Sequence, residues 1–446
     1  MPSAAEQLAS SVNFGAIAKA TELKQRIIFT LLALIVYRIG TYIPIPGINP
    51  GALDDIFNQN TGGILGMFDM FAGGALSRMS IFALNIMPYI SASIIIQLMS
   101  TASSHLAQLK KDGDAGRQKI IQYTRYGTVL LASVQALGIA TGLEGMTNSQ
   151  GPAVDNPGIF FKLSTIITLT GATVFLMWLG EQITARGIGN GISLIIMAGI
   201  VAELPSALVS TLELGKTGAL SGLLILFFLL LAAIVITFIV FMERGQRRLI
   251  IQYPKRQVGM KIMGGQSSHL PLKINTAGVI PPIFASSILL LPVTALSINA
   301  GTGPDWLMSI TSLLGRGQPL YMLLYVAAIV FFAFFYTSVV FNAQDTADNL
   351  KNNGGFVPGI RPGEPTAVYI EYVLTRLTVI GSAYLSAVCL LPEILISKYS
   401  VPFYLGGTSL LIVVTVTMDL VAQVHSHLIA QQYEGLIKKA KLRGRY

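Results

Sequence analysis

Ten apolar stretches, each about long enough to cross a bilayer, constrain this chain more than any other feature. They cover 27–43, 79–99, 120–140, 160–180, 187–202, 219–242, 277–297, 320–341, 372–392 and 403–424. A spanning helix needs roughly 20 mostly apolar residues. In hydrocarbon every backbone N–H and C=O must find its partner within the protein, so such runs become helices and not open sheets. The expected fold is an all-α polytopic membrane protein with ten transmembrane helices. Composition supports this, because only 11% of the 446 residues are charged and 52% are apolar, against about 25% charged in soluble domains. A soluble globule of this length would lack the polar groups to cover its surface. The same numbers exclude a disordered or collagen-like chain. Cys389 is the single cysteine, so an internal disulfide and a Cys-based metal site are excluded. The N-terminal residues lack a short apolar core followed by a small-residue cleavage site, and no cleaved signal peptide is expected.

The net charge of +9 is explained by where the cations fall. Between alternate spans, one side collects 22 Lys and Arg, while the other has only Lys216, Arg316 and Lys398. By the positive-inside rule both termini face the cytoplasm. The segment Thr61–Leu76, TGGILGMFDMFAGGAL, is too short to cross. It is either a re-entrant half-helix, which must be buried in protein or face a water-filled cavity, or an amphipathic helix on the outer surface. The long connections follow the first and third spans of each five-span half, outside in the first half and inside in the second. An inverted repeat has this property and places its functional path at the repeat interface. The domains expected are a cytoplasmic N-terminus (1–26), a first half (27–202), an external hinge connection (203–218), a second half (219–424) and a cytoplasmic tail (425–446).

Enzyme chemistry finds no footing. Gly215-Lys216-Thr217 lacks the glycine a phosphate loop needs five positions earlier, where Ser210 stands. Gly187–Ile192 lacks the third glycine of a dinucleotide fingerprint. His425 and His427 are two apart and face different ways on a helix. No catalytic residue, metal site or cofactor is expected. Arg125, Lys162 and Arg376 sit near span ends, where long side chains reach the interface. An ion-coupled transporter needs a titratable site mid-membrane, and spans 2 and 5–8 offer none in their interiors.

Polar residues within apolar spans point elsewhere. Span 2 carries Asn85, Ser91, Ser93 and Gln97 with Pro88 at its middle, which favours a kink. Span 7 opens with Asn275 and Thr276 and contains Pro281 and Pro282. These features suit either an interface that opens or ordinary kinked packing. Ile86 and Ile90, and Ile192 and Ile196, recur at helical spacing and share faces. They suit either a hydrophobic constriction that excludes ions by dewetting or core and lipid-facing packing. Two long cytoplasmic loops stand out. RRLIIQY (Arg247–Tyr253) and MKIM (Met260–Met263) alternate like strands around PKRQVG, which predicts a projecting hairpin with a basic tip. GIRPGEPT (Gly359–Thr366) frames Arg361 with Gly and Pro. Cationic loops of this kind suit a partner rich in phosphates or carboxylates.

Long motifs then make a resemblance specific: YRIG (Tyr37–Gly40) with IPIPGI, FAGGALSRMSIFALNIMPYISASIIIQL (Phe71–Leu98), QYTRYGT, MWLGEQIT with RGIGNGIS (Arg186–Ser193), ERGQRR, HLPLKIN, FVPGIRPGE and PFYLGGTSLLIVV (Pro402–Val414). From about Thr21 to Tyr433 the chain resembles the SecY family, the channel subunits of the Sec protein translocon. The resemblance implies two inverted five-helix halves around an hourglass channel. It implies a pore ring of Ile86, Ile90, Ile192, Ile196, Ile283 and Ile412. It implies a plug half-helix at Thr61–Leu76, with Gly63, Met67, Phe68, Phe71 and Arg78. It implies a lateral gate at spans 2 and 7, with Pro88, Ser91, Gln97, Asn275 and Pro281. Arg247, Arg248, Lys255, Arg256 and Arg361 correspond to the docking site for a motor or ribosome. The implied partners are the SecE and SecG subunits, the SecA motor ATPase, the ribosome, the accessory SecDF/YajC and YidC, substrate preproteins and membrane proteins, and the lipid of the bacterial inner membrane. Two departures from the family pattern are Met260-Lys261, where a further basic pair is common, and the doubled Pro281-Pro282. Against the channel stand a small-solute secondary transporter, which would show saturable ion-coupled uptake, and an intramembrane enzyme, for which no catalytic pair is found.

Overall fold

A computed structural model of the chain describes residues 21–49, 69, 72–144, 147–148, 151–217, 221–254, 256–258, 261–263, 267–297, 318–399 and 407–443. Among these residues the chain is mostly helical, and every expected span coincides with a helix. The long helices of the N-terminal part are α1 (Thr21–Gly40), α2 (Met87–Ala102), α4 (Gly113–Glu144), α5 (Ile159–Arg186) and α6 (Gly191–Lys216). Those that follow are α7 (Gly222–Arg244), α8 (Ile280–Ser297), α9 (Pro319–Val340), α11 (Glu364–Tyr399) and α12 (Gly407–Arg443). Two short polar helices, α3 (Ser104–Lys111) and α10 (Ala343–Asn352), lie between spans. Seven of the helices (α4–α7, α9, α11 and α12) are long and apolar enough to cross a membrane by themselves, and α2 and α8 are shorter apolar helices.

Local chemistry sets several boundaries. Asn342 caps α10, its Oδ1 accepting from the backbone N–H of Gln344 at 3.0 Å and Asp345 at 3.3 Å. Asp345 in the first turn and Lys351 in the last complement the helix dipole. Three expectations are corrected. The second span was expected as a helix from residue 79, kinked at Pro88. Residues 81–86 instead form turns, Met79 and Asn85 have φ of 40° and 48°, and the helix begins at Met87. Pro88 falls in the first turn, where a missing N–H leaves no bond unmade. Pro281 and Pro282 likewise fall in the first turn of α8, so none of the three interrupts a helix ladder. The fifth span, expected to end at 202, continues to Lys216 through Pro205. Local adjustment in membrane helices tolerates such a proline.

β1 (Thr147–Asn148) and β2 (Gly151–Pro152) pair antiparallel between α4 and α5, and the expected hairpin follows α7 with a different register. β3 (Gln246–Gln252) pairs antiparallel with β6 (Ser267–Lys273), and β4 (Arg256–Val258) pairs with β5 (Lys261–Met263). The strand RRLIIQ was expected opposite MKIM; it lies opposite SSHLPLK instead, and KIM closes a small inner hairpin. The alternation in β3 explains the pairing: Leu249 and Ile251 are buried and their neighbours exposed. A register slip of one residue would turn the apolar pair outward.

The chain divides into two compact units, one of Met1–Val209, Leu291–Thr311 and Ile412–Tyr446, the other of Ser210–Leu290 and Ser312–Leu411. In the first, one face of α4 is a seam of small residues. Thr124, Thr128, Ala132, Ala136 and Ala140 follow at intervals of four and are buried. The threonine hydroxyls donate to carbonyls one turn back, at 3.0 and 2.7 Å, so no polar atom is wasted. Small side chains let membrane helices approach closely, and a Cβ added to Gly127 would touch Ala92 of α2 at 3.4 Å. Ile45, Leu76, Met79, Phe161 and Leu169 complete this core. In the second unit, Leu249 and Leu272 of the hairpin pack on Ile370, Val373, Leu374 and Leu377 of α11. The i, i+3, i+4, i+7 spacing of those four residues makes one helical stripe.

Overpacking the small-residue seam should therefore be costly. Ala136→Leu is expected to destabilise the protein by about 1–3 kcal/mol. Val134→Leu, on the exposed side of the same helix, is expected to be neutral. Thermal unfolding of both variants in detergent checks this.

Candidate functional site

The six isoleucines singled out by sequence lie at helix beginnings. Ile86 immediately precedes α2, and the Ile90 N–H donates to its carbonyl at 3.1 Å, which stacks the two on one face. Ile192 and Ile196 lie in the opening turns of α6, Ile283 in the first turn of α8 and Ile412 near the start of α12. Ile86, Ile90, Ile196 and Ile412 are buried; Ile192 and Ile283 are half-buried. Five belong to the first unit and Ile283 to the second.

The Gly-rich turn before α6 is fixed from several directions. Ile188 N–H donates to Thr30 Oγ1 at 3.1 Å and Gly189 N–H to Gln423 Oε1 at 2.8 Å. Gly191 N–H donates to Thr184 Oγ1 at 2.9 Å. Any Cβ at Gly191 would collide with the Gly180 carbonyl. Helices α1, α5 and α12 thus together fix the turn that leads into Ile192 and Ile196.

The other candidates divide by place. Pro88 and Ser91 are buried in the first turns of α2, and Gln97 is half-buried and donates to Ser93 Oγ at 3.3 Å. Gln97 Oε1 is buried without a hydrogen-bond partner among the described residues. Pro281 is buried at the start of α8. Asn275 is buried just before α8, and its Nδ2 donates to Glu243 Oε1 at 2.6 Å and to the Gly278 carbonyl at 3.1 Å. Glu243 is buried at the end of α7. The amide joins the end of one helix to the start of the next beneath the hairpin.

Gly63, Met67, Phe68 and Phe71 lie outside the described residues, as does Lys255. Arg78 is described and half-buried. Its guanidinium donates to the carbonyls of Gly74 and Gly73 at 2.8 and 3.0 Å and sits 3.6 Å from Glu203. Arg247 and Arg248 are exposed on β3, opposite Leu272 and Pro271. Arg256 begins β4, and Arg361 is exposed in its Gly/Pro frame. Thr366 Oγ1 donates to the Arg361 carbonyl at 2.8 Å. The structure brings the two long loops together. Gln252 and Phe356 exchange backbone hydrogen bonds of 2.9 and 3.0 Å, and Gly355 fits against Ile251 and Tyr253.

Two polar features escaped the sequence reading: the Glu243–Asn275 bond and the contacts of Arg38 and Glu203 with Arg78. Their only signal is an acid or cation at the edge of an apolar span. Among the described residues no group of three or more His, Cys, Asp or Glu is gathered as metal ligands.

Helices of this length and polarity define a polytopic membrane protein. The family model for SecY matches residues 80–421. The protein translocase subunit SecY of Escherichia coli strain K12 is 57% identical over 424 residues, covering 95% of this chain and 96% of that protein. The chain belongs to the SecY family. Solved structures agree in fold. A protein-conducting channel superposes with a TM-score of 0.60 at 17% identity, covering 91% of this chain and 92% of that one. Sec61 from the canine ribosome–channel complex of the endoplasmic reticulum gives 0.58 at 17%, with the same coverage.

Replacing Asn275 with Leu takes the amide donor from a buried carboxylate. A loss of about 1–3 kcal/mol is expected, read as a lowered unfolding midpoint, with Asn275→Gln recovering part of it.

Proposed function

We propose that the chain is the central subunit of a passive protein-conducting channel of the bacterial inner membrane, with both termini in the cytoplasm. The observation that carries this is the match along 95% of the chain to a protein translocase subunit. Unfolded polypeptide enters from the cytoplasm and displaces a plug at Thr61–Leu76. It then passes a ring formed by Ile86, Ile90, Ile192, Ile196, Ile283 and Ile412. Branched apolar side chains suit such a ring. They offer a passing chain no hydrogen bonds, and closed together they exclude water and ions. A sufficiently apolar segment leaves sideways between α2 and α8 into lipid, past Pro88, Ser91, Gln97, Asn275 and Pro281. Energy comes from a partner, the SecA motor or the translating ribosome, docked on Arg247, Arg248, Lys255, Arg256 and Arg361. The backbone bonds between Gln252 and Phe356 support a single docking surface built from both loops, and a related channel has been solved with a ribosome bound. SecE and SecG complete the channel, with SecDF/YajC and YidC as accessories.

Replacing Ile86, Ile90 and Ile192 together with Gly is expected to raise resting ion conductance severalfold in planar bilayers. An unchanged leak would rule out the ring. Charge reversal of Arg247 and Arg248 is expected to weaken ribosome cosedimentation with proteoliposomes, and the deficit should shrink as salt is raised, because exposed charges are screened.

A further inference from the structure

Residues 73–80 form neither helix nor continuous strand, yet most of them are buried. Buried backbone outside regular structure must find hydrogen-bond partners elsewhere. Here charged side chains supply them. Arg38 Nη1, from the last turn of α1, donates to the Gly73 carbonyl at 2.8 Å. Arg78 donates to both Gly73 and Gly74, as described above. Gly73 and Gly74 have φ of 66° and 73°, a region open to glycine at little cost. A Cβ on Gly73 would come within 2.8 Å of Gly199 Cα, and one on Gly74 would overlap Arg78 and Glu203. The segment therefore lies directly on α6.

Two guanidinium groups converge on two adjacent carbonyls, and both stack on the Tyr42 ring, at 4.9 and 4.4 Å from its centre. Like charges so close repel unless an anion intervenes. Glu203 of α6 is that anion. Its Oε1 lies 3.9 Å from Arg38 and 3.6 Å from Arg78, and its Oε2 accepts from Ser206 Oγ at 3.2 Å. All three charged side chains are largely shielded, between 26% and 33% exposed, which limits screening by solvent.

We infer that Glu203 is a positioning residue for the seal of the channel. By neutralising Arg38 and Arg78 it keeps both guanidinium groups on the carbonyls of Gly73 and Gly74, and so holds residues 73–78, the mount of the sealing segment, against α6. This rests on the reading of Thr61–Leu76 as a plug. The paired carbonyls do not require Glu203 for their own hydrogen bonds; they require it because two cations do not otherwise remain side by side.

Glu203→Gln keeps the shape of the side chain and removes its charge. In the full-length chain in planar bilayers this variant is expected to leak ions severalfold more than the unsubstituted protein. The amides of Gly74, Leu76 and Ser77 are expected to exchange with deuterium about tenfold faster, corresponding to about 1.4 kcal/mol of local stability. Glu203→Asp should reverse most of both effects. A tight Glu203→Gln channel would overturn the inference, as would a leak without faster exchange or one that Asp does not reduce. Should Glu203→Gln fail to fold, Arg38→Met serves instead. It removes one of the two cations together with its hydrogen bond to the Gly73 carbonyl and should leak in the same way; a tight channel again overturns the role. The isoleucine-to-glycine channel separates the two claims. If it leaks while Glu203→Gln stays tight, only the positioning role falls. If both stay tight, the ring reading falls and the positioning role with it.

Discussion

Backbone desolvation governs this structure. Each N–H and C=O removed from water must be paired inside the protein, at a cost of several kcal/mol if it is not. Helices meet that demand from their own sequence, so most of the chain is helical and each expected span coincides with a helix. Only where a helix is absent does the protein have to bring in other groups, and those places hold its most specific chemistry. Residues 73–80 take donors from Arg38 and Arg78. The turn before α6 takes acceptors from Thr30, Thr184 and Gln423. The junction of α7 and α8 uses Asn275 and Glu243.

Packing follows from the same economy of polar atoms. Lipid tails are as apolar as leucine, so helix association in a membrane depends on close contact and not on the exclusion of water. The Thr/Ala seam of α4 supplies this contact while its hydroxyls bond back to their own helix. In the hairpin the familiar rule returns: it buries Leu249 and Leu272 against a stripe on α11 and leaves Arg247 and Arg248 exposed. The proposed function uses both regimes: apolar isoleucines at helix starts suit a passage that binds nothing tightly, and a charged hairpin suits a partner that must be held.

Much of this was legible in the sequence, and the errors had definite physical causes. Apolar run length marks a span well, but it does not mark where a helix begins. The second span was read from residue 79 because 79–86 is apolar. The turns there are permitted by tertiary contacts that run length does not encode, and Pro88 opens the helix where a mid-span kink was expected. The fifth span was read as ending at 202, yet its helix runs on to Lys216 through Pro205 and through Glu203, which is paired with Arg38 and Arg78. Alternation found the hairpin but not its register, since both MKIM and SSHLPLK offer an apolar face to β3.

The sequence by itself determined the helical membrane architecture, the positions of the isoleucines and the presence of two cationic loops. These depend on composition over windows of about 20 residues, which one chain displays directly. Tertiary structure decided which isolated charges are paired, which loop lies against which, and how glycines such as Gly73 and Gly191 permit close approach. Each of those outcomes depends on atoms far apart in sequence meeting within about 3 Å, and no local pattern records such a meeting.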